Sequence, residues 1–203
     1  MLSLMEEILL LALKEEEGTL FLTATAGINN CLGGAILMEL ELHNRIKADK
    51  KTVQVIDRTP TRNTRLDTAL KLIDSHSSLR PPEYWIPKLL KDLKPLRQAL
   101  LKEMTEKALV REDEHQVLIF FTQNHYPLRD IRAKKDILDR LHKVLLRGEL
   151  PNPRTEKLIG LVSACSLIYS LFDKEDRKEA LKRAKELTAK DILTQAIKKA
   201  SQE

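Results

Sequence analysis

The side chains able to do chemistry are plentiful in this chain but scattered. Five histidines, His43, His76, His115, His125 and His142, stand at spacings that match no metal site, and there is no Cys-x-x-Cys, His-Glu-x-x-His, phosphate-cradling glycine loop or nucleophile elbow. His115 and His125 flank an apolar run and read as solvent-facing turn histidines. Glu6-Glu7 and Glu112-Asp113-Glu114 lie beside charged neighbours, as helix-start or loop carboxylates do. Cys31 and Cys165 each sit in an apolar run, where a thiol behaves as a small hydrophobe, and both read as reduced core residues of a cytosolic protein. With no catalytic constellation, metal site or cofactor motif, the chain reads as a binding protein and not an enzyme.

Three features are suited to binding. The first is a basic stretch, Lys88, Lys91, Lys94, Arg97 and Lys102, in which Lys94 and Arg97 stand one helical turn apart and can offer two donors to one phosphate. A solvated helix face explains the same residues. The second is Val117-Leu118-Ile119-Phe120-Phe121: if one face of this run packs inward, alternate side chains such as Leu118 and Phe120 are left on the other. Side chains of that size gain roughly 1.5 to 3 kcal/mol each on burial, so an outward face would favour a partner or a bilayer interface, and plain sheet core is the competing reading. The third is the segment in which Ala180, Leu181, Ala184 and Leu187 oppose Lys178, Lys182, Arg183 and Lys185. Membrane-surface helices have this character, although a terminal helix docked on the core with a solvated lysine face fits better.

The elements that must position these residues are mostly helices. Ser3 and Glu6 form a capping box ahead of an apolar helix over about 4 to 14, apolar all round and therefore expected to be buried. A second helix over about 27 to 43 carries Gly33 and Gly34, whose lost helix propensity, about 1 kcal/mol each, is best explained by close approach of a neighbouring backbone. Short strands at 45 to 48 and 52 to 57 make a small hairpin, Thr64 and Asp67 open a helix through Ile73, and 75 to 82 is a surface loop. Helices follow at 83 to 92 and 95 to 108, the second started by Pro95 in its first turn. The strongest strand signal is a hairpin over about 114 to 127, and everything after Asp130 is helical: 131 to 147, 155 to 172, and a charged last helix from Asp176.

At 203 residues, 42% hydrophobic and 32% charged, the composition is that of a folded protein with a dense charged surface, and one domain over 1 to 203 is expected. A net charge of +5 suggests an anionic partner without choosing one. The first residues carry acid where a secretory signal needs base, and no window reaches the length of about 18 apolar residues that a membrane span requires. Membrane attachment, if any, is thus expected to be peripheral.

Several segments, in order, resemble the Golgi phosphoprotein 3 family. They are Met5-Glu-Glu-Ile-Leu-Leu-Leu-Ala-Leu-Lys14 with Glu17-Gly18, Cys31-Leu-Gly-Gly-Ala-Ile-Leu-Met-Glu-Leu40 and Asn44-Arg-Ile46. Val55-Ile-Asp-Arg58, Leu66 to Ile73, Trp85-Ile86, Glu106 to Val110, the apolar hairpin, Arg154-Thr155 and Arg183 to Leu187 continue the match. The resemblance implies a mainly α, single-domain helical bundle with short β-hairpins, the one at about 114 to 127 protruding. It also implies binding of phosphatidylinositol 4-phosphate at the cytosolic face of Golgi membranes and an adaptor role in which the cytosolic tails of glycosyltransferases are held. It further implies that the hairpin serves self-association or bilayer contact.

Carried over residue by residue, the family's headgroup pocket keeps its two later basic positions as Lys94 and Arg97. Its tryptophan position falls on Ala24 and its first arginine position on Gly33. Losing an arginine fork removes charge-assisted hydrogen bonds of about 1.5 to 3 kcal/mol, so the expectation is a compact relative of prokaryotic type with relaxed specificity among anionic lipids. The rival is a winged-helix-like nucleic-acid-binding module built from helix 95 to 108, Val110 and the hairpin. A recognition helix should turn Arg, Lys, Asn or Gln to base edges. Here Leu96, Leu100, Leu101 and Met104 occupy one side and Glu103 and Glu106 interrupt the bases, so no nucleic-acid partner is expected.

Overall fold

The computed structural model describes residues 2–118 and 121–201, and within the second hairpin it leaves the side chains of 115–123 undescribed. The first helix, α1 (Leu4–Ala12), begins at the expected capping box. The Ser3 hydroxyl accepts from the Glu6 amide and the Glu6 carboxylate accepts from the Ser3 amide at 2.8 Å. Every residue of α1 is buried, and at its far end the Lys134 ammonium donates to the Leu13 carbonyl at 2.7 Å. A cation there meets the negative end of the helix dipole.

After a single turn, α2 (Leu22–Thr25), the central helix α3 (Ile28–Leu42) packs most extensively against four others. They are α1, α5 (Pro82–Asp92), α8 (Pro153–Ala164) and α11 (Ile192–Ala200). Its two glycines permit this: a Cβ on Gly33 would stand 2.8 Å from the Ile86 carbonyl oxygen of α5, and one on Gly34 2.2 Å from Ile197 Cδ1 of α11. The small hairpin is β1 (Ile46–Ala48) and β2 (Val53–Val55), antiparallel with Lys47 opposite Gln54. Next comes α4 (Thr64–Asp74), capped by Asn63, whose side chain accepts from the Arg65 and Leu66 amides; Asp67 instead accepts from Thr61.

Beyond α6 (Leu96–Glu106) stands the second hairpin, β3 (Asp113–Leu118) and β4 (Phe121–His125), whose register shifts between Gln116 and Leu118. Its base is tied to the bundle by backbone bonds from Tyr126 N to Gly18 O (2.9 Å) and from Leu128 N to Glu15 O (2.8 Å). Helix α7 (Ile131–Leu145) follows, then α8, α9 (Ile168–Leu171), α10 (Lys174–Thr188) and α11.

The expected continuous helix over 155 to 172 is broken. Ser166 takes a left-handed φ of 57°, which no α-helix continues through, and on either side of this turn Cys165, Leu167 and Ile168 are buried in the core. The expected single last helix is two, because the Asp191 side chain accepts from the Thr194 amide and starts α11 afresh. The fold is mainly α, its buried apolar side chains join one core, and among the described residues no helix is long and apolar enough to cross a membrane.

Candidate functional site

Lys94 is not on a helix. Proline restricts the residue before it to extended backbone, so α5 ends at Asp92, Pro95 is the N-cap of α6, and Lys94 forms the corner between them. The expected one-turn spacing on a helix started by Pro95 is therefore corrected, yet the two bases still meet. Lys94 and Arg97 both line a shallow cleft of about 290 Å³ with Asn29, Leu32, Leu90 and Gln98. Lys94 is exposed and Arg97 half-buried, and neither side chain makes an ion pair or hydrogen bond to a described residue.

Two helix starts converge on this cleft. Asn29 lies in the first turn of α3, and Arg97 and Gln98 in the first turn of α6; neither helix has a side-chain cap. Uncapped amides and the positive ends of two helix dipoles favour an anion there, in addition to the two bases.

Arg97 and Gln98 also reach into a second cleft of about 490 Å³, floored by Leu9, Leu13, Leu20 and Leu101 and walled by Asn124 and Tyr126 at the hairpin's base. The basic pair and the root of the hairpin thus share one side of the molecule. Of the hairpin residues singled out in the sequence, Ile119 and Phe120 lie outside the described residues. Val117, Leu118 and Phe121 are placed as backbone in β3 and β4, with their side chains undescribed.

The other two positions of the implied pocket are closed. Ala24 is fully buried, and Gly33 presses on the backbone of α5 and on Leu90. The rest of the basic stretch disperses: Lys88 is tied to Asp92 at 2.7 Å, which raises its pKa, while Lys91 and Lys102 are exposed. The third feature is a docked helix, since α10 buries Ala180, Ala184 and Thr188 and packs on α7, α8 and α9.

Cys31 and Cys165 are free and buried, and they adjoin: a hydrogen bond with Cys165 and burial both push the Cys31 thiol up. Glu6 and Glu7 are more than helix-start acids. Both are buried, Glu6 paired with Lys107 and Glu7 with Arg140, each at 2.5 Å. The capping box marks Glu6 in the sequence, but no local pattern marks Glu7, whose partner is 133 residues away.

The model of the family described as Golgi phosphoprotein 3 (GPP34) matches residues 4–203. Vacuolar protein sorting-associated protein 74 of Schizosaccharomyces pombe is 28% identical over 223 residues, covering 92% of this chain and 66% of that protein. Its namesake in Eremothecium gossypii is 28% identical over 224 residues, covering 92% of this chain and 67% of that protein. The chain thus spans about two thirds of the length of these relatives. Because the family match runs through nearly every element described above, from the capped first helix to the last, the chain belongs to the Golgi phosphoprotein 3 family.

Proposed function

We propose that this protein is a peripheral membrane protein that takes anionic lipid headgroups, phosphatidylinositol 4-phosphate among them, in the cleft between the starts of α3 and α6, and acts there as an adaptor in Golgi-type trafficking. The observation that carries this reading is the meeting of Lys94 and Arg97 with two uncapped helix N-termini in one open cleft. Family membership and the sorting role in the relatives' names support it. The apolar hairpin, rooted beside Arg97, is suited to rest in the bilayer or against a second copy.

Specificity is relaxed in this reading. With alanine at 24 and glycine at 33, the family pocket's stacking ring and one of its arginine forks are missing, and each base near the surface contributes about 1 kcal/mol toward any anionic lipid. Binding should therefore follow total negative charge. Co-sedimentation with neutral, phosphatidylserine and phosphatidylinositol 4-phosphate vesicles, the last two matched in charge, tests it beside a duplex DNA titration at the same salt. Comparable binding to both anionic vesicles is expected, reduced about tenfold or more in the K94A/R97A double variant. Undiminished binding by that variant, or binding to DNA alone with a steep salt dependence, would falsify the assignment.

A further inference from the structure

Between α10 and α11, against the last turn of α8, lies a cleft of about 500 Å³ lined by Ser163, Leu181, Lys185, Thr188, Gln195 and Lys198. Two of its polar side chains are committed: the Thr188 hydroxyl donates to Ala184 O at 2.7 Å and the Gln195 amide to Thr188 O at 3.3 Å. The other three are not. Neither Lys185 nor Lys198 is ion-paired to a described residue, and the Ser163 hydroxyl has no hydrogen-bond partner among them. Nearby acids are engaged elsewhere, Glu186 with Arg183 at 3.5 Å and Asp191 with Lys157.

Two ammonium groups from separate helices therefore face one cleft without a counter-charge. They are close enough to interact: burial first, and then the Lys185 charge, pull the Lys198 ammonium below its ordinary pKa. Like charges gathered in this way are relieved by an anion. A carboxylate neutralises one of them, whereas a phosphate monoester carries about −1.5 to −2 charges at pH 7 and offers three acceptor oxygens. Two lysines and a hydroxyl match that set, and Leu181 gives the organic part of such a ligand an apolar wall.

We propose that the cleft walled by Lys185, Lys198 and Ser163 is a second anion site, separate from the one at Lys94 and Arg97, and that it takes a phosphate monoester group. The phosphate can belong to a soluble metabolite or to a lipid headgroup, and the chemistry of recognition is the same.

The test uses the full chain with 13C-labelled lysine, assigned through the K185Q and K198Q variants, which should fold because both side chains reach solvent. Glycerol 3-phosphate is titrated at constant ionic strength, and phosphatidic acid vesicles are added in a parallel series. A saturable shift of the Lys185 and Lys198 signals is expected with at least one of the two. Affinity should fall roughly tenfold or more in either glutamine variant and in S163A by less, and stay parental in K94A/R97A. A response to glycerol 3-phosphate alone identifies a soluble ligand, and a response to vesicles alone a lipid. The proposal is overturned if neither ligand gives a saturable shift at constant ionic strength, or if binding survives in K185Q/K198Q.

Discussion

A methyl group at position 33 would come within 2.8 Å of the Ile86 carbonyl oxygen and 3.2 Å of Leu90 Cγ. The first neighbour is backbone and cannot rotate away, so the glycine holds α5 against α3 at the edge of the proposed headgroup cleft. The same contact excludes the arginine that the family pattern would place there. Restoring it should therefore fail as a rescue: G33R is expected to lose about 1 to 3 kcal/mol or more of stability through overpacking, with no gain in lipid affinity. A urea melt together with vesicle co-sedimentation checks this; a parental midpoint with tighter binding to phosphatidylinositol 4-phosphate would mean that α5 yields. At this scale the bases Lys94 and Arg97 were readable in the sequence as a candidate pair. The reason they meet was not, because it lies in a proline corner and in a glycine contact 61 residues upstream of Lys94.

Among the elements, α11 is one that the chain's local pattern conceals, and its attachment is specific. Lys157 on α8 donates to Asp191, the cap of α11, and pairs with Glu41 of α3 at 2.6 Å. Burial alone would push the Lys157 ammonium down, but the hydrogen bonds to Asp191 and Glu41 outweigh it and its pKa lies above the usual lysine value. The pair's contribution is thus fully present below pH 10.5, the ordinary value, and is lost only as the pH climbs through the higher folded one. Removing one partner of a largely buried pair is costly, and K157M should destabilise by about 3 kcal/mol at neutral pH. Hydrogen exchange should show amides of 192–200 losing protection before those of α1; uniform loss would mean that the triad does not hold α11 in particular. Buried Leu193, Ala196 and Ile197 supply the rest of its grip, Ile197 in the space that Gly34 leaves open.

For the molecule as a whole, the network at the start of α1 joins four helices and the end of a fifth. Glu6 pairs with Lys107 just past α6, Glu7 with Arg140 of α7, and Arg154 of α8 with Glu39 of α3, which also accepts from the Leu4 amide at 2.5 Å. The two neighbouring acids titrate in opposite directions. Burial would raise Glu6, but hydrogen bonds from Lys107 and Ser3 bring it below its ordinary 4.5; burial raises Glu7, and Arg140 and Arg154 offset this only in part. Glu6 therefore adds stability above pH 4.5 that is lost as the pH falls through its depressed value, while Glu7 adds stability as it protonates and loses it as the pH rises through its elevated value. Urea melts from pH 7 to pH 3 should show E6Q weaker than the parent by about 1 to 3 kcal/mol at neutral pH, with the gap closing in acid. For E7Q the gap should instead widen as the pH falls, and parallel curves for the two variants would refute the assignment.

What the amino-acid sequence determined by itself was local in origin. The capping box at Ser3, the apolar circumference of α1, the glycine pair in α3, the turn chemistry around each hairpin and the basic character of 88 to 102 all follow from neighbours within a few residues. Those interactions act before any distant part of the chain arrives. Only the tertiary structure decided which polar side chains come together: Lys94 with Asn29, Glu7 with Arg140, Lys185 with Lys198. It also decided that a helix written as one from Asp176 onward divides so that Ile197 can pack on Gly34. Such pairings depend on how large side chains fill the space between elements far apart in sequence, and that space does not exist until the helices have packed.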